Sequence, residues 1–191
     1  GAINNQARNS CDLTVATGAL LNATVAANGG PDLFGGNTAT AIKEDSSANC
    51  LHGVVAGYSL TATKTQCISI TVNTNGAGGG YAIFGIYDGG NGSTSAQNGC
   101  FAMVNRWTGG ISFKDGGTGW AHVAGTGGVV PVITLNGTWT CTLTLTPPAG
   151  ITSASIFVGC GTAGATAYTG GGSASIFVTA VCVADNMTFQ Y

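Results

Sequence analysis

The sequence predicts an all-β chain, an antiparallel sandwich, on three observations. Short segments alternate between apolar and small polar residues, with the period of two that places successive side chains on opposite faces of a strand. Clusters drawn from its 33 glycines cut these segments apart, as tight turns require. Helix signals are nearly absent. Ala16 to Ala27 (ATGALLNATVAA) is the single run of helix-tolerant composition, and its β-branched and Asn residues weaken even that.

The clearest strand is Gln66–Asn73, where Ile68, Ile70 and Val72 share one face and Cys67, Ser69 and Thr71 the other. Tyr81–Tyr87 (YAIFGIY) is apolar on both faces and reads as a central strand. Trp139–Thr146 alternates apolar residues with Thr without a break, which puts Trp139 on the core phase with Cys141, Leu143 and Leu145. Pro147-Pro148 ends it, because proline cannot donate to a ladder. Strands at Ala154–Cys160 and Ala174–Val183 both contain Ser-Ala-Ser-Ile-Phe-Val, at 153–158 and 173–178. The motif recurs only once, so two similar sandwich strands are expected rather than a solenoid. A last strand is expected over Asn186–Tyr191. Residues 1–20 read as a polar arm without periodicity, able to dock on a neighbour, and residues 21–191 as one sandwich domain.

Charge is the unusual feature of the composition. The chain has 191 residues with 5 Lys+Arg and 7 Asp+Glu, 6% charged, against 44% hydrophobic. Soluble domains carry about 25% charged residues. Disorder does not explain the difference, since disordered chains are poor in apolar residues. A surface made of Thr, Ser, Asn and Gly resists association weakly, so burial of that surface against neighbours in an assembly is expected. Nucleic acid is excluded as a partner by the lack of Lys/Arg patches, and a membrane span by the lack of any 18-residue apolar run. The first residue, Gly1, follows either Met removal or processing.

The cysteines at 11, 50, 67, 100, 141, 160 and 182 are separated by 17 residues or more. No CxxC pair exists, and the odd count of seven disfavours a complete disulfide framework. Cys141 and Cys160 fall on apolar phases, where a free thiol behaves as a small buried hydrophobe. Reduced, buried thiols are expected, with one or two bridges left open as the alternative.

Catalytic chemistry finds little support. The two histidines, His52 and His122, read as structural, and no G-x-S-x-G elbow accompanies them. Asp12, Asp32, Glu44, Asp45, Asp88, Asp115 and Asp185 sit mostly beside Gly, Asn or Ser, where turn hydrogen bonding accounts for them. No enzymatic activity and no obligatory cofactor are therefore expected. A structural calcium ion is the one metal with candidate ligands: Asp88 with Asn91, or Asp185 with Asn186. Among the aromatic residues Trp107 and Trp120, flanked by Arg106 and glycines, are the candidates for stacking on sugar, while Trp139 reads as a core residue. Asn-x-Ser/Thr triplets at Asn22, Asn91, Asn136 and Asn186 matter only on a secretory route.

Several segments carry a resemblance. Pro31-Asp32 with Asn37 to Asp45 (NTATAIKED), Ala56 to Thr61 (AGYSLT), Ile86-Tyr87-Asp88-Gly89, Asn136 to Cys141 (NGTWTC) and Ala167 to Gly172 (AYTGGG) occur in order. In that order they resemble the carbohydrate-binding-module-like jelly-roll domain that recurs in tailed-bacteriophage structural proteins. The similarity spans Pro31 to Val183. It departs at Thr140 and Cys141, where the family has an aromatic and a basic residue, and at the ending, Ala184 to Phe189. The resemblance implies a jelly-roll β-sandwich and a non-enzymatic virion structural protein. The form expected is a capsid decoration or cement protein on the virion surface, assembled in the host cytoplasm. Its partners would be the major capsid protein or other virion proteins, itself as a homo-oligomer, and a host-surface glycan. The alternative is a carbohydrate-binding module or lectin-like adhesin. A third reading, an extracellular filament subunit, would need an alternating apolar arm, and Gly1 to Ser10 shows none.

Overall fold

The computed structural model describes residues 19–32, 36–60, 64–75, 79–88, 98–129 and 137–185. They form two antiparallel six-stranded sheets packed face to face, with no helix among the described residues. In chain order the strands are β1 (Ala19–Leu21), β2 (Ala23–Gly30), β3 (Ala39–Glu44), β4 (His52–Ser59), β5 (Gln66–Asn73) and β6 (Tyr81–Tyr87). There follow β7 (Gly99–Asn105), β8 (Ile111–Gly116), β9 (Ala121–Val129), β10 (Thr138–Thr146), β11 (Ser153–Gly161) and β12 (Ser175–Asp185). The first sheet runs β1-β4-β11-β6-β7-β8 and the second β2-β3-β12-β5-β10-β9.

The β-sandwich expected from alternation is therefore present, and β5 and β6 have the bounds read from sequence. From Ala19 onward the helix-tolerant run is strand instead. Ala19 and Leu20, assigned above to the arm, already pair with β4. Thr24 and Val25 pair with β3 in β2, since branched residues prefer a pleated, half-covered surface. Residues 1–18 of the arm, and the strand expected over Asn186–Tyr191, lie outside the described residues.

The core lies between the sheets. Ile68, Ile70 and Val72 of β5 and Cys141, Leu143 and Leu145 of β10 meet Phe84, Ile86, Ala102, Val104, Ile156 and Val158 from the first sheet, all buried. In β12 the inward residues change phase, Ile176 and Val178 being followed by Val181 and Val183. A register shift against β5 between Val178 and Ala180 accommodates this change. One extra residue on one strand keeps both apolar sets facing inward. The two copies of the hexapeptide fall in different sheets, and Ile156, Val158, Ile176 and Val178 all enter the shared core.

The first sheet is apolar on its outer face as well. Val55, Ile83, Tyr87, Phe101, Met103 and Phe157 alternate with the core residues of their strands and form a second buried cluster with Leu51. Glycines make room for it: a Cβ on Gly159 would stand 2.7 Å from Phe157, and one on Gly85 2.9 Å from Phe101. The outer face of the second sheet is small and uncharged across its centre. There Thr140, Thr142 and Thr144 lie opposite Thr71, Ser69 and Cys67, and Thr71 and Thr140 join hydroxyls at 3.1 Å.

Candidate functional site

Antiparallel pairing brings the C-terminal ends of β5 and β7 and the N-terminal ends of β6 and β10 to one end of the sandwich. There Asn75, Arg106, Trp107, Gly137 and Trp139 line an open groove of about 240 Å³. Asn105 shapes the turn that presents Trp107. Its Oδ1 accepts the Trp107 and Thr108 amides at 2.9 and 3.1 Å, as Asn side chains do in turns. Its Nδ2 donates to the Tyr81 hydroxyl at 3.2 Å, tying the turn to β6. The Arg106 amide donates to Gly80 O at 2.8 Å.

The two indoles are held differently. Trp139 is half-buried against the core and donates its Nε1 hydrogen to Thr74 Oγ1 at 3.1 Å. It passes close over Gly109, where φ is +66° and a Cβ would come within 2.2 Å of the ring. Trp107 remains 70% exposed beside it. The Arg106 guanidinium carbon lies 5.8 Å from the Trp107 ring centroid, within the range of cation–π attraction. A half-fixed indole, an exposed indole and a guanidinium together offer apolar faces for stacking and a planar fork of donors.

Trp107 is thus at the surface, as the sequence suggests, whereas Trp120 is not, and Trp139, packed against the core as expected, also lines the groove. Trp120 is 5% exposed and sits in the main core, so it cannot contact a ligand. Its entry from a glycine turn reads as surface, yet the ring packs into the main core. Trp139 is on the core face by phase, but it lies in the first turn-proximal register of β10, where the opposite sheet covers only part of the ring. Asp88 is exposed, and its Oδ2 accepts Asn98 Nδ2 at 2.9 Å while its amide donates to Asn98 O at 2.8 Å, closing a turn. Asn91 and Asn186 lie outside the described residues. Among the described residues no group of three or more His, Cys, Asp or Glu side chains could hold a metal ion.

A buried polar cluster that sequence reading passes over occupies the same end. His52 is fully buried, with Nδ1 2.9 Å from Asn22 O and 3.4 Å from Asp45 Oδ1, and Nε2 3.1 Å from Tyr168 O and 3.7 Å from Cys50 Sγ. Its ring is tilted against Tyr168 at 4.7 Å. Glu44, also buried, accepts the Tyr168 hydroxyl and, at 2.8 Å, the Gly171 amide. Cys50, His52 and Asp45 stand in the order of nucleophile, base and acid. However, Cys50 is 3% exposed, and its thiol is pushed upward first by burial and then by the Asp45 charge. The thiolate is the reactive form, so these contacts hold the group protonated and enclosed. The cluster ties the β1–β2 turn, β4 and the loop before β12 together. No spacing in the sequence announces it, because its hydrogen-bonded pairs lie up to 127 residues apart. On the opposite edge, His122 Nδ1 meets Asp115 Oδ2 at 2.8 Å and stacks on Phe113 at 4.2 Å.

No disulfide joins any of the six described cysteines; five are buried and Cys182 is half-buried, and Cys141 and Cys160 lie in the core as their apolar phases suggest. No model of a known family matches the chain, and no curated protein is detectably similar to it.

Proposed function

We propose that this chain is a non-catalytic structural protein of a tailed-phage particle, a jelly-roll module that decorates the capsid surface. The observation that carries the reading is the uncharged outer face of the second sheet. Across the centre of that face Thr71, Thr140 and Cys182 are half-buried, while Ser69, Thr142 and Thr144 are buried within the chain itself, and no charged side chain stands among them. Hydroxyls such as Thr71 and Thr140, paired with one another, can be covered by a neighbouring subunit at far smaller desolvation cost than ionised groups. A face of this kind suits docking on other virion proteins, or on further copies of itself, around a symmetric lattice. Cryo-electron microscopy of particles from the native source tests the proposal. Density for a twelve-stranded sandwich at symmetric capsid positions is expected, and a soluble monomer absent from purified particles overturns it.

A second role is favoured by a separate observation, the pairing of Trp107 with Trp139 at one end of the sandwich. An exposed ring beside a fixed one suits the apolar face of a sugar, so the particle protein would also adhere to host-surface glycan at that end. Binding of a saccharide by the purified chain, lost in Trp107→Ala, is expected. Binding unchanged in that variant refutes the role.

A further inference from the structure

Resting on the glycan reading of this groove, we infer that its ligand is an acidic saccharide, one whose sugar ring carries a carboxylate. The charge distribution points there. The whole chain has 5 Lys and Arg residues, and one of them, Arg106, lines the groove beside both indoles. No Asp or Glu is among the described lining residues, which are otherwise Asn75, Gly137, Trp107 and Trp139. In a protein that carries so little charge, a half-buried guanidinium in a concave site biases the local potential, and positive charge there attracts an anionic ligand.

Geometry adds specificity to charge. A guanidinium presents its donors as a planar fork that matches the two oxygens of a carboxylate. The guanidinium carbon lies 5.8 Å from the Trp107 ring centroid, so a carboxylate at Arg106 leaves the attached ring within reach of the indole faces. Trp139 is fixed by its hydrogen bond to Thr74 and by its close passage over Gly109, which makes it the rigid wall of the site. Trp107 lies over Gly80, where φ is +85° and a Cβ would come within 3.0 Å of the ring, so any side chain there would push the indole away. The groove volume, about 240 Å³, is below the roughly 300 Å³ at which pockets for drug-sized ligands begin. It has room for one sugar ring, with the rest of the chain running into solvent.

The test is calorimetric titration of the full chain with oligogalacturonate, with a neutral galactose oligomer of equal length, and with a short peptide ending in a free carboxylate. Oligogalacturonate is expected to bind most tightly. Its affinity should fall about tenfold or more in Arg106→Gln, in line with loss of a charge-assisted hydrogen-bonded pair, while binding of the neutral oligomer stays unchanged. Equal affinity for acidic and neutral oligomers, or no effect of Arg106→Gln, overturns the acidic preference and leaves the groove reading intact. No saccharide binding at all, saccharide binding that survives Trp107→Ala, or a preference for the peptide overturns the groove reading itself. Arg106 and Trp107 sit in an exposed turn, and circular dichroism of both variants confirms that the fold is retained.

Discussion

The Tyr168 hydroxyl donates its hydrogen to Glu44 Oε2, across 124 residues of sequence, and closes the sandwich end between β3 and the loop before β12. The buried Glu44 carboxylate depends on that hydroxyl and on the Gly171 amide at 2.8 Å. Tyr168→Phe removes one donor and leaves a buried charge under-satisfied. A loss of about 1–3 kcal/mol is expected, measured by urea denaturation; an unchanged midpoint would show that the bond is dispensable.

Stability should fall on the alkaline side. Burial, helped by the Glu44 charge, pushes the Cys160 thiol from 9.0 up to about 12. Burial, then Asp88, pushes Tyr87 from 10.0 up to about 12. Cys100 and Tyr168 are raised too, chiefly by burial and then by Asp115 and Glu44 respectively. In each case the folded chain holds its proton more tightly than the unfolded chain. The unfolded state therefore loses protons first as pH rises, and the stability these groups lend is complete below about pH 9 and is lost between about 9 and 12. Thermal melts should show Tm declining through that window, with a shallower decline in Cys160→Ala. A Tm independent of pH there contradicts the account.

The outer cluster of the first sheet should count as core. Phe157 is 0% exposed on the face turned away from the second sheet. Phe157→Ala is expected to cost about 3–5 kcal/mol, the usual cost of emptying a buried aromatic site. Trp107→Ala, at an exposed position, should stay within about 0.5 kcal/mol of the parent. Equal unfolding midpoints for the two variants would contradict the assignment of that face to the interior.

Thiol reactivity separates Cys182 from the rest. It is half-buried, while Cys50, Cys67, Cys100, Cys141 and Cys160 are buried. In a Cys11→Ala background, a colorimetric thiol reagent should modify Cys182 alone in the native protein and all remaining cysteines after denaturation. Rapid native modification of Cys141 or Cys160, identified by peptide mass, would show that the core opens readily.

Much of the fold was legible because a strand writes its two faces into alternate residues. Ile68, Ile70 and Val72 named the inner face of β5 from sequence alone, and the unbroken Thr alternation named both faces of β10. The strand apolar on both sides, β6, could be recognised as central. That its outer face is buried in the cluster around Phe157 could not, since local pattern does not record depth of burial. The buried cluster around His52 was invisible for a related reason: Asn22, Glu44, Cys50 and Tyr168 meet only after the sheets are assembled.

By itself the sequence determined the sandwich architecture, the core phases of Cys141 and Cys160 and the scarcity of charge. Tertiary structure alone decided which tryptophans face solvent. Alternation specifies the side of a strand on which a ring stands, not how deeply the opposite sheet covers it. Trp139, on the core side, is therefore half-buried at a strand end beside Trp107 and Arg106, while Trp120, leaving a glycine turn, is enclosed in the core.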